Sequence, residues 1–166
     1  SVQQKLKITN DPSVEKHLDY YGNEVGSFMI AQPHKELCID SKVEVITHLR
    51  VVPADTKSVA EQWAILQSIK YQAEFIDFLK SEYFDALHEI KAIADAPLLQ
   101  QKTPFQAAKE LNSYVYKNFS YIKGVTEVDT KLGEVWKLKA GVCQDFAHIL
   151  LVMLRLIGIP ARYVSG

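Results

Sequence analysis

Residues Gly141 to Gly166 read Gly-Val-Cys-Gln-Asp-Phe-Ala-His-Ile-Leu-Leu-Val-Met-Leu-Arg-Leu-Ile-Gly-Ile-Pro-Ala-Arg-Tyr-Val-Ser-Gly. From Cys143 to Ile157 the run is apolar on most sides, as expected of a central, buried helix. Gly158 supplies the stop and Pro160 prevents continuation. Ala161 to Ser165 then has the length and β-branched content of a strand entering the same core. The stretch therefore predicts a loop, a helix, a turn and a strand, with Cys143 at the head of the helix.

That position matters chemically, because a thiol attacks a carbonyl only as thiolate and free cysteine titrates near about 8.5. A helix N-terminus offers unpaired amides and the positive end of the helix dipole to such an anion. The same amides can donate to a developing oxyanion, and Gly141 leaves room for a substrate backbone. Position alone leaves a second reading open, in which Cys143 is a small apolar residue filling a gap at the head of a core helix. Val142, Gln144 and Asp145 line the same turn, where a carboxylate complements the dipole and caps free amides. Trp136 stands close enough upstream to wall a pocket, or else belongs to the core. His148 lies five residues beyond Cys143, about 140° around the helix, so it reads as a packing or hydrogen-bonding residue. Arg155, on the same oily helix, must snorkel outward or pair with a carboxylate. Arg162 alternates with Tyr163 and faces solvent or an acidic partner.

Working upstream, Leu132 to Leu138 allows a short helix carrying Val135 and Trp136. Thr103-Pro104-Phe105-Gln106 matches a capping box with proline at the first helical position, and Phe105, Ala108, Leu111 and Val115 follow as an apolar stripe. Helical spacing also begins at Val59, through Trp63, Leu66 and Ile69 to Phe75, Ile76 and Leu79. Before that the pattern is strand-like: Lys5 to Thr9, Glu24 to Ala31 and Glu36 to Arg50, separated by Asn10-Asp11-Pro12 and Tyr21-Gly22-Asn23. Alternation in Lys42 to His48 places Val43 and Val45 on one half-buried face. Pro53 marks the exit from this sheet. The reading is thus α+β: an antiparallel β module over residues 1–55, then a core over 56–166.

Bulk properties narrow the partners. The formal net charge of -1 gives no broad positive field for phosphates or anionic headgroups, so neither nucleic acid nor membrane is expected as a partner. No apolar run approaches the roughly 20 residues of a membrane helix, and Ser1-Val2-Gln3-Gln4-Lys5 lacks the apolar segment of a signal peptide, which leans the reading toward the cytoplasm. Two cysteines, Cys38 and Cys143, are too few for a disulfide framework, and both are expected as free thiols. No Cys-x-x-Cys or His-Glu-x-x-His spacing occurs, and His34, Glu36 and Cys38 on one strand face reflect alternation, so neither a metal nor a cofactor is expected. His17, His34, His48 and His88 read as surface or structural residues.

The Gly141 to Gly166 segment resembles the active-site segment of bacterial transglutaminase-like proteins, in which a G-V-C-x-D-F-A-H helix precedes R-x-x-G-I-P-A-R-Y-V-S-G. The upstream residues Asp19 to Asn23, Phe28-Met29-Ile30 and Pro33 to Leu37 are more loosely similar to the β-rich region often found before that core. The resemblance implies the helical half and first strand of a papain-like core, with a cysteine, histidine and aspartate triad and Cys143 as nucleophile. It implies a peptide or protein substrate, a thioester intermediate, and transfer of the acyl group to water or an amine. It also places the histidine and aspartate on strands after the V-S-G residues, beyond Gly166. A rival reading is a catalytically incomplete domain of the same fold that binds a protein partner.

Overall fold

A computed structural model describes residues 2–49, 51–52, 54–81, 83–127 and 129–164. Pro53, expected to close the β module, and Ser165 and Gly166, the last residues of the motif, lie outside the described residues. The chain is α+β and separates into two compact units, residues 1–53 and 54–166.

The first unit holds two antiparallel pairs. β1 (Val2–Ile8) pairs with β4 (Ile39–Val45), from Gln4 opposite Val43 to Ile8 opposite Ile39. β2 (Glu15–Leu18) pairs with β3 (Glu24–Ser27). The turn between β2 and β3 closes on Asp19, whose Oδ1 accepts the N–H groups of Tyr21 and Asn23 at 2.8 Å, while Gly22 takes φ +77°. β2, Glu-Lys-His-Leu, has no apolar alternation to announce it and was not expected from the sequence. A further correction concerns β4, where Val43 is 53% and Val45 58% exposed, not half-buried. A two-stranded ribbon makes no core by itself, since each face needs another layer to bury it.

The second unit is a helical assembly. α1 (Val59–Ile69) starts at Ser58, whose hydroxyl accepts from the Glu61 amide while the Glu61 carboxylate accepts from the Ser58 amide. α2 (Ala73–Leu79), α3 (Leu87–Ala94) and the single turn α4 (Pro97–Gln100) follow. α5 (Pro104–Asn118) opens on the expected box, with Thr103 and Gln106 bonded in both directions. Its buried stripe is Ala107, Leu111 and Val115: Leu111 and Val115 are as anticipated, and Ala107 takes the place of Ala108. Phe105 is exposed. After β5 (Ser120–Tyr121), α6 (Leu132–Leu138) and β6 (Ala140–Gly141), the chain enters α7 (Cys143–Leu156).

α7 buries Asp145, Ile149, Val152 and Met153, a stripe at helical spacing, against α3, α5 and α6. Ile149 and Met153 are fully buried, each stabilising by roughly 1.5–3 kcal/mol. The flanking Leu150, Leu151 and Leu154 are half-buried, so one side of the helix is sealed rather than most of it. Gly158, at φ +83°, ends α7 in a Schellman-type cap, with the Ile159 amide donating to the Leu154 carbonyl and the Gly158 amide to that of Arg155.

Beyond the cap, residues 159–164 make no strand ladder among the described residues, which corrects the expected strand. The segment is held instead by the Ala161 amide on the Phe78 carbonyl at 2.9 Å. Arg155 fixes it from the other side: Nε and one terminal nitrogen donate to the Ala161 carbonyl at 3.0 and 2.8 Å, and the other to the Lys80 carbonyl at 2.8 Å. Arg155 was expected to snorkel outward or pair with a carboxylate; its partners are backbone oxygens, which the planar fork of guanidinium donors reaches together.

Candidate active site at the head of α7

The approach to α7 is set by three local devices. Lys139 caps α6 in the left-handed region, at φ 50°, and reverses the chain into β6. β6 runs parallel to β5, with the Ser120 amide on the Lys139 carbonyl at 2.8 Å and the Ile122 amide on the Gly141 carbonyl at 3.0 Å. Val142 then takes an extended conformation as N-cap, making Cys143 the first residue of the helix.

A valine has no acceptor for the helix amides, so the cap is built from the other direction. Asp145 is 7% exposed, and its Oδ2 accepts the Val142 amide at 2.8 Å and the Thr126 hydroxyl at 2.7 Å. Thr126 belongs to the connection between β5 and α6 and was not among the residues singled out from the sequence. Nineteen residues of separation left no signal for it. Gly141 is required by the same carboxylate: a β-carbon added there would lie 2.9 Å from both Cβ and Cγ of Asp145.

With the Val142 amide occupied and the Phe146 amide on the Val142 carbonyl, the amides of Cys143, Gln144 and Asp145 are the first-turn donors with no helical acceptor. Cys143 and Gln144 are exposed, so Cys143 does not fill a core gap. Cys38 is also free and exposed, on the first unit. Phe146, half-buried in the same turn, makes edge contacts with Phe119 at 5.8 Å and Tyr121 at 6.4 Å between centroids.

Trp136 is 3% exposed in the core, where it meets Phe119 and stacks on Tyr114, and its indole N–H donates to Glu89 at 2.8 Å. The Lys139 ammonium lies against the Trp136 face and 4.9 Å from the Phe119 centroid, with no hydrogen-bond acceptor among the described residues. Desolvation lowers the Lys139 pKa, and the nearby Glu89 carboxylate opposes that shift. Burial, then the Glu89 charge, raises that of Tyr114. His148 turns to Tyr163, with ring centroids 5.2 Å apart. Together with Asp77, Ser81 and Arg155 it lines a cavity of about 230 Å³. Among the described residues no group of three histidine, cysteine, aspartate or glutamate side chains is placed to hold a metal, and no helix is long and apolar enough to cross a membrane.

Residues 91–166 match the transglutaminase-like superfamily profile. An uncharacterized protein of Mycobacterium leprae is 30% identical, over 91% of this chain and 53% of its own length. One from Mycobacterium tuberculosis is 33% identical, over 96% of this chain and 53% of its own. The chain thus spans about half the length of the curated relatives it matches. A crystal structure of a candidate cysteine protease from Cytophaga hutchinsonii aligns with a TM-score of 0.59 at 18% identity, covering 95% of this chain and 53% of that one, and shows the same fold.

Proposed function

We infer that Cys143 is the nucleophile of a thiol acyl-transfer reaction on a peptide or glutamine amide. The observation that carries this reading is that Cys143, an exposed residue, is the first residue of α7, in the turn whose leading amides have no helical acceptor. In the reaction the thiolate adds to the amide carbonyl, and the oxyanion of the tetrahedral adduct takes hydrogen bonds from the first-turn amides. Collapse expels the amine, which leaves with a proton, and a thioester remains on Cys143. Water or a second amine then adds to the thioester and releases an acid or a new amide.

The proton of the thiol and the proton gained by the leaving amine require a base and acid in the same site. His148 lies five residues along α7, about 140° around the helix from Cys143, and packs on Tyr163. In this reading a histidine, oriented by an aspartate, completes the site as the family resemblance implies.

The two exposed cysteines provide an internal comparison. Limiting iodoacetamide at neutral pH, followed by peptide mass mapping, is expected to label Cys143 well before Cys38. Equal, slow labelling of both would remove the nucleophile and favour a domain that keeps the fold to bind a protein partner.

A further inference from the structure

We propose that Thr126 is a positioning residue of this site, acting through Asp145 on the turn that carries Cys143. The proposal rests on the reading of Cys143 as nucleophile and adds to it a residue from a different element. Thr126 lies in the connection between β5 and α6. Among the described residues its hydroxyl makes the side-chain hydrogen bond that ties this connection to α7. The neighbouring bonds, Glu127 amide to Thr130 hydroxyl and Thr130 amide to Glu127 carbonyl, stay within the connection.

Both donors, the Thr126 hydroxyl and the Val142 amide, converge on one oxygen, Oδ2 of Asp145. A carboxylate in the first turn of a helix is attracted to every free amide there. Those amides, of Cys143 and Gln144, are the ones an oxyanion would need, so an untethered Asp145 would compete with the substrate for them. Two bonds on Oδ2 hold the carboxylate over Gly141, where the missing side chain makes space for it. The Thr126 hydroxyl adds to the Val142 amide a second donor on the same oxygen, supplied by a different element.

The test uses two readouts on the intact protein with Thr126→Val, which keeps the shape and removes the donor, and Thr126→Ser, which keeps the donor. Hydrogen exchange at the Val142 amide is expected to speed up about tenfold in Thr126→Val while the core amides of Ile90 and Leu111 keep their parent rates. The ratio of Cys143 to Cys38 alkylation is expected to fall at least threefold in the same variant. Thr126→Ser is expected to restore both to within twofold of the parent. An unchanged Val142 amide, or a faster amide with an unchanged labelling ratio, overturns the positioning role, as does failure of serine to rescue. A parent chain in which the two cysteines label alike overturns the nucleophile itself, and that result is read before any substitution is made.

Discussion

The carboxylate of Asp145 occupies the place where a side chain on Gly141 would stand: a β-carbon there would come within 2.9 Å of both Cβ and Cγ of Asp145. Gly141 is therefore held to glycine by its neighbour and not by its own backbone, since it is absent from the positive-φ positions. Asp145 in turn cannot retreat without giving up the Val142 amide.

Gly141→Ala is accordingly expected to push Asp145 off the cap. Overpacking of this kind costs about 1–3 kcal/mol, and it also frees the carboxylate to compete for the first-turn amides. Chemical denaturation is expected to show a loss in that range, with Cys143 alkylation slowed relative to Cys38. A variant of parental stability and parental labelling would mean that Asp145 has an alternative seat of equal energy.

Local features of this architecture were legible because their chemistry is local. The Thr103 and Gln106 box, the short helix from Leu132 to Leu138 and the stop at Gly158 each depend on residues within one or two turns. Cys143 at the head of α7 was legible for the same reason. What the sequence hid was set by distance or by geometry that pattern does not encode. Thr126 meets Asp145 across 19 residues and Trp136 meets Glu89 across 47. The choice of Ala107 over Ala108 for the buried stripe depends on how α5 is rotated against α7, which spacing alone leaves uncertain by one residue. Val43 and Val45 alternate as a buried face should, yet alternation states only that one face is apolar, and burial needs a second layer.

Arg155 offers a test of the described end of the chain. Its three hydrogen bonds tie the exit of α2, through Lys80, to the segment after α7, through Ala161. Arg155→Ala removes charge-assisted bonds and is expected to cost about 1.5–3 kcal/mol, with faster exchange at the Ala161 amide. Arg155→Lys keeps the charge but cannot present the fork to two carbonyls at once, so it should recover less than half of that loss. Full recovery by lysine would show that charge, and not the geometry of the donors, holds the segment.

Lys139 gives a pH dependence whose sign follows from its surroundings. Its ammonium is pressed against Trp136 and near Phe119 without a hydrogen-bond acceptor among the described residues, and desolvation lowers its pKa in the folded chain. Below the folded pKa both states carry the proton, and the cost of burying the charge is present in full. As pH rises from the folded pKa toward the unfolded value of about 10.4, the folded state loses its proton first, so this cost to stability is progressively relieved. Lys139→Met keeps the aliphatic packing without the charge. It is expected to be at least as stable as the parent at pH 7, with its advantage shrinking by pH 9.5. Urea midpoints of the two proteins at both pH values measure the difference directly, and comparing them cancels the titration of the neighbouring Tyr114 to first order. A gap that stays constant or widens with pH would show that contact with the Trp136 face outweighs the loss of water around the ammonium.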